Sequence, residues 1–162
     1  MSEKKILTRE NIPVSELQRT VTEVREGIQL SYNEVYYLDY EVNEDTGMID
    51  KNKQTEYYTK EQVTRNLKSM KSAYLVAKGA AAPSEIISFR EKYQIAASVL
   101  SLILGFSKNT ISNIENEGVS SLPSGRLIKL CLSNKNILAH YIEISSFLDS
   151  QKKKELLKRL GT

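Results

Sequence analysis

The chain has 162 residues, with 23 Lys+Arg, 20 Asp+Glu, one His, one Cys, three Pro and no Trp. One Cys excludes a disulfide framework, one Cys with one His cannot complete a structural zinc site, and no apolar run reaches the roughly 18 residues of a membrane span. Residues 1–58 carry 7 basic and 12 acidic side chains and residues 59–162 carry 16 and 8; this fits either a basic nucleic-acid-binding half joined to an acidic partner-binding half, or unevenly spread surface charge.

Residues 1–16 are polar and broken by Pro13, which predicts a loose lead-in, and MSEKKILTRE lacks the apolar stretch of a secretory signal. From Thr20 to Val42 the chain turns towards strand. Ile28, Leu30 and Tyr32 alternate with polar residues, as do Tyr36, Leu38, Tyr40 and Val42, the pattern of a sheet with one buried face. Asn33-Glu34 is expected at the turn between two strands, 43–53 as a polar loop, and 54–58 as a short third strand. Six of the nine Tyr fall in this segment and supply most of its apolar area.

Thr59-Lys60-Glu61-Gln62 has the spacing of a capping box. Behind it Val63, Leu67, Met70, Tyr74 and Ala77 form the expected buried stripe of a helix over 59–78. Gly79 stops that helix, and Ala80-Ala81-Ala82-Pro83 reads as a linker dividing an N-terminal unit, 1–79, from a helical unit, 84–162. Helices are expected from Pro83 to Tyr93, from Ala96 to Leu104, from a Ser107 cap to Glu117, from Pro123 through Leu132, from Ile137 to Leu148, and from Asp149 or Ser150 to Leu160. The fold class expected is mainly α: a five-helix domain with a C-terminal helix, preceded by a small α+β module of short antiparallel sheet plus one helix.

Two short helices joined by a turn that begins with Gly form a helix-turn-helix pattern. FREKYQIAASVLSLILGFSKNTISNIENEG, residues 89–118, resembles the lambda-repressor-like (Xre-type) domain. The resemblance implies that Leu100 and Leu104 pack the second helix, Ser101 permits a close crossing, Gly105 makes the turn, and Ile111 and Ile114 bury the third helix. It also implies a structural salt bridge between Arg90 and Glu115. YYLDYEVNEDTG, YYTKEQVTRNLKSMKSAYLVAKG, PSEIISFREKY and LPSGRLIKL further resemble antitoxins of the MqsA type, which set a small N-terminal module ahead of the same element. Many of those relatives hold that module with Cys-x-x-Cys zinc pairs. Here the comparable stretch is Leu38-Asp39-Tyr40, so no metal or other cofactor is expected.

In such a geometry the third helix enters the major groove amino end first. The resemblance then assigns base reading to Lys108, Asn109, Thr110, Ser112 and Asn113, and phosphate contacts to Ser107, Asn116, Ser124, Arg126 and Lys129. Asn109 matches an Asn that reads DNA in the antitoxin relatives, where its amide suits adenine. Asn113 stands where relatives often carry Arg, which implies a site richer in A·T, and Ala97 stands where many carry Gln. Read from the residues alone, Asn109 is equally an early-turn cap and the polar edge an ordinary solvated face.

Elsewhere, His140 is expected to be packed or hydrogen-bonded, Cys131 to be a small buried hydrophobe, and Lys152-Lys153-Lys154 to be a solvated face. Leu148, Leu156 and Leu160 either dock on the domain or pair with a second copy. Val99 and Leu102 mark a partner surface or are covered by another part of the chain. The function expected is a cytoplasmic, homodimeric, sequence-specific DNA-binding regulator of double-stranded DNA, an antitoxin-type autorepressor. The alternative is a module that neutralises a protein toxin or other partner through its N-terminal half. No nucleophile–base pair and no phosphate-cradling loop supports an enzyme.

Overall fold

A computed structural model describes residues 3–9 and 11–162, the side chain of Lys51 excepted. Among the described residues five strands precede seven helices: β1 Lys5–Leu7, β2 Pro13–Ser15, β3 Leu17–Arg25, β4 Ile28–Val42, β5 Ile49–Tyr57, then α1 Lys60–Ala77, α2 Pro83–Tyr93, α3 Ala97–Ile103, α4 Thr110–Glu117, α5 Leu122–Ser133, α6 Lys135–Ile144 and α7 Ser150–Leu160. The architecture is α+β. This overturns the mainly α expectation of a five-helix domain with a minor appendage, because two antiparallel sheets fill the first third and six helices follow α1.

The expected lead-in is ordered where it is described; residues 1, 2 and 10 of it lie outside the described residues. β1 and β2 pair antiparallel, with Pro13 opposite Leu7 at the start of its strand, where a missing N–H is tolerated. Thr8 is buried at their connection and accepts the Ile12 N–H through Oγ1 at 3.1 Å.

The second sheet has the order β3-β4-β5. Its first turn falls at Glu26-Gly27, not at Asn33-Glu34. Both central residues have positive φ, 50° and 78°, the requirement of a two-residue hairpin turn that keeps strand twist. β4 therefore runs unbroken for 15 residues. β5 begins at Ile49, inside the stretch expected to be loop, and reaches β4 across an irregularity at Tyr40/Glu41. Leu30 and Tyr37 are buried, and Tyr37 stacks on Tyr57 with ring centroids 5.9 Å apart. The Arg19 guanidinium ties all three strands together, donating to Glu34, Glu56 and the Tyr58 hydroxyl at 2.9, 2.8 and 2.7 Å.

The capping box of α1 forms as its spacing predicts: Gln62 N–H donates to Thr59 Oγ1 at 3.1 Å and Thr59 N–H to Gln62 Oε1 at 2.9 Å. The buried face of this helix differs from the apolar stripe. Val63 and Leu67 are 45% and 55% exposed, whereas Gln62, Ser72 and Leu75 are buried. The reason is hydrogen bonding. β5 pairs only with Tyr37–Val42, so the preceding part of β4 has an open edge. Asn66 fills it, accepting the Val35 N–H at 2.8 Å and donating to the Val35 carbonyl at 2.9 Å. Unpaired backbone groups in a half-buried edge would cost more than leaving two aliphatic side chains wet.

The helical part encloses one core built on Ile86, Leu100, Ile111, Ile128, Leu138, Ile142, Leu156 and Leu160, with Cys131 buried among them. Ala80 and Ala81, expected in a linker, are buried in that core. Gly125 of α5 lets them approach, since a Cβ there would lie 2.5 Å from the Ala80 Cβ. Leu148, Leu156 and Leu160 dock on the same core, so α7 packs on its own chain. His140, expected to be packed or hydrogen-bonded, is exposed on α6 with Nδ1 3.7 Å from Glu143, beyond hydrogen-bonding reach.

Candidate nucleic-acid interface

α3 and α4 are both short, seven and eight residues. What holds them is the segment between. Gly105 (φ 83°) ends α3 with two bonds, Gly105 N–H to the Leu102 carbonyl at 3.1 Å and Phe106 N–H to the Ser101 carbonyl at 2.9 Å, the Schellman pattern. Ser101 is fully buried and makes the junction. Its hydroxyl donates to the Ala97 carbonyl at 2.8 Å and accepts the Ile111 N–H at 3.0 Å, satisfying one of the free donors in the first turn of α4. Leu100, Ile111 and Ile114 are buried beside it.

Arg90 and Glu115 meet across α2 and α4. Nε donates to Glu115 Oε1 at 2.6 Å and an Nη to Oε2 at 2.8 Å, a bidentate pair, while the other Nη donates to the Ile95 carbonyl at 3.1 Å. The Glu115 side chain is only 9% exposed. The second carboxylate of α4, Glu117, pairs with Lys68 of α1 at 3.1 Å. Both acidic groups of the helix are thereby neutralised.

The edge of α4 that remains outward carries Lys108, Asn109 and Asn113, all exposed. Asn109 occupies the N-cap position, but its side chain makes no capping bond. The simple cap reading of Asn109 therefore fails. Other expected contacts are partly committed to the helix itself. The helix starts at Thr110 rather than at a Ser107 cap, and the Ser107 and Thr110 hydroxyls bond each other at 2.8 Å. Ser112 donates to the Asn109 carbonyl at 3.0 Å, and Ser124 to the Ser121 carbonyl at 3.3 Å.

Three expected phosphate residues lie apart from this edge. Asn116 lines a cleft of about 780 Å³ between the sheet and α1, beside Ser31 and Asn33. Arg126 donates twice to the Lys78 carbonyl, at 3.0 and 2.8 Å, and so satisfies the end of α1. Lys129 pairs with Glu85. Arg126 and Lys129 are thus claimed by neighbours that the chain brings in from far away in sequence.

In their place the fold supplies α1. A groove of about 380 Å³ runs between α1 and α4, lined by Lys68, Lys71, Thr110, Asn113, Ser120 and Ser124. Nothing in the sequence of α1 marks those lysines, because ordinary helices carry lysine on their wet faces. Val99 is half-buried and Leu102 remains 39% exposed.

No protein-family model, curated protein or solved structure matches this chain. Among the described residues no helix is long and apolar enough to cross a membrane.

Proposed function

We propose that this protein is a sequence-specific DNA-binding transcriptional regulator, an antitoxin-type autorepressor acting as a homodimer on double-stranded DNA. The observation that carries the reading is the free edge of α4. Lys108, Asn109 and Asn113 are exposed, none spends its side chain on a bond among the described residues, and both carboxylates of the helix are neutralised. A rigid short helix with an uncommitted amide at its amino end suits base-edge reading, since Asn donates and accepts in the pattern adenine presents. The second amide, one turn on, extends the same preference for A·T pairs.

The test is selection of binding sites from random duplexes with the purified full chain. A pseudo-palindromic motif is expected, with half-sites one or more helical turns apart. Asn109→Ala is expected to relax one position of each half-site, a loss of about 1–3 kcal/mol in discrimination. Recovery of no motif, or of the same motif from Asn109→Ala, would overturn the proposal.

One observation favours a second reading, in which the N-terminal unit binds a protein partner such as a toxin. Val63 and Leu67 leave an apolar strip on the outer flank of α1. Co-expression with the product of an adjacent reading frame tests it: a partner that co-purifies with the native chain and is lost from Leu67→Asp supports this reading.

A further inference from the structure

The groove between α1 and α4 has an asymmetry of charge. Glu117 is the one carboxylate among its lining residues, and Lys68 pairs with it. Lys71, three residues on and on the same face of α1, has no carboxylate partner among the described residues. Across the groove stands Ser120, exposed and without a hydrogen-bond partner among the described residues. Thr110 and Asn113, on the outward side of α4, form the adjoining wall.

We infer that α1 carries part of the DNA contact: Lys71, with Ser120 opposite, holds a backbone phosphate beside the bases that α4 reads. The inference rests on the DNA-binding reading above and extends it to a helix that lies outside the paired short helices. A duplex whose major groove receives the amino end of α4 passes its sugar–phosphate strand along the flank of that helix. Among the described residues, the groove on that flank offers one unpaired cation, a hydroxyl donor and no free carboxylate. Lysine acts on phosphate as a point charge and needs no fixed orientation, so an exposed side chain suffices. Such a contact positions the protein and carries no sequence information.

The anchoring of α1 makes this contact stiff. Ser72, next to Lys71, accepts the Val119 N–H at 2.9 Å, and the Lys68–Glu117 pair closes the same seam. The backbone at Lys71 is thereby held to the seam beside α4.

The experiment uses the full chain and the duplex obtained by selection, with binding followed by fluorescence anisotropy between 50 and 200 mM salt. Lys71→Ala is expected to weaken binding to matched and mismatched duplexes by the same factor and to leave the selected motif unchanged. It is also expected to reduce the slope of log affinity against log salt by about 0.9, so the penalty shrinks about 3.5-fold across that range. Lys71→Arg retains the slope, and both variants melt with the native chain. A slope and affinity in Lys71→Ala equal to those of the native chain, while Asn109→Ala still alters the motif, would overturn the inference and leave the reading standing. If no duplex is bound above background, the reading fails and the inference falls with it.

Discussion

Ser72 of α1 and Gly118 at the end of α4 are in direct contact. A Cβ built on Gly118 would lie 2.7 Å from the Ser72 Cβ and 2.9 Å from its hydroxyl oxygen. Gly118 also has φ 95°, a conformation costly to residues with a side chain. The seam between the sheet-bearing part and the paired short helices thus depends on a residue that has none. Gly118→Ala is expected to cost about 2–4 kcal/mol, combining backbone strain with overpacking. Urea denaturation of the two proteins measures it. Adding Ser72→Gly relieves the clash but leaves the Val119 N–H without its acceptor and places Gly inside α1, so no net recovery is expected from the double variant.

The Arg90–Glu115 pair makes a second prediction. Removing the cation strands a carboxylate that is 9% exposed, whereas the Arg90 side chain keeps 21% of its surface in water. Arg90→Ala is therefore expected to destabilise by about 2–3 kcal/mol, somewhat below a fully buried pair. Glu115→Gln keeps an acceptor and is expected to cost less. Thermal melts of both variants give the comparison, and equal losses would contradict it.

Ser101 gives a third. Its replacement by Ala leaves the Ile111 N–H buried without a partner, which costs about 1–3 kcal/mol. Because Ile111 lies in the first turn of α4, the loosening is expected to be local. Amide exchange should accelerate at Ile111 more than at Ile114, whose N–H lies deeper in the helix. Uniform acceleration across α4 would count against that junction.

Two carboxylates predict the response to acid. Burial alone would raise Glu16, yet hydrogen bonds from Arg65 and Gln62 and the charges of Arg65 and Lys4 leave it below its ordinary value of 4.5. The Lys129 ammonium holds Glu85 below the same value, against burial and with help from the Ala82 N–H. A carboxyl depressed by folding contributes stability that is fully present above its unfolded pKa and is lost as pH falls through the folded one. Stability is therefore expected to fall from about pH 4.5 downward. Glu16→Gln, followed by melts at pH 3.5 and pH 7, is expected to flatten part of that decline. An unchanged pH profile would show that the pairing is not linked to folding.

The places where structure departs from sequence have a common origin. In α1 the apolar residues Val63 and Leu67 are exposed, while the polar Asn66 bonds β4 and Gln62 is buried and bonds Glu16. Hydrophobic periodicity records apolar area removed from water, and a helix that docks by hydrogen bonding to a strand edge leaves no such record. The hairpin turn escaped in the same way. Asn33-Glu34 has turn-like composition, but Glu26-Gly27 supplies the backbone conformation that the connection needs.

By itself the sequence determined the features whose partners lie within one turn or one motif. The Thr59–Gln62 capping box, the Gly105 stop and the Asp149 cap of α7 are of this kind. Their physics is local: a cap needs an oxygen at a set offset, and a stop needs a residue free to take positive φ. Tertiary structure alone decided the partners of Arg126, Lys129 and Ser72, the α+β balance of the fold, and the approach of Lys71 to the edge of α4. Those depend on where the chain returns after many residues, and a long polar side chain takes whichever partner the packing of the core brings within reach.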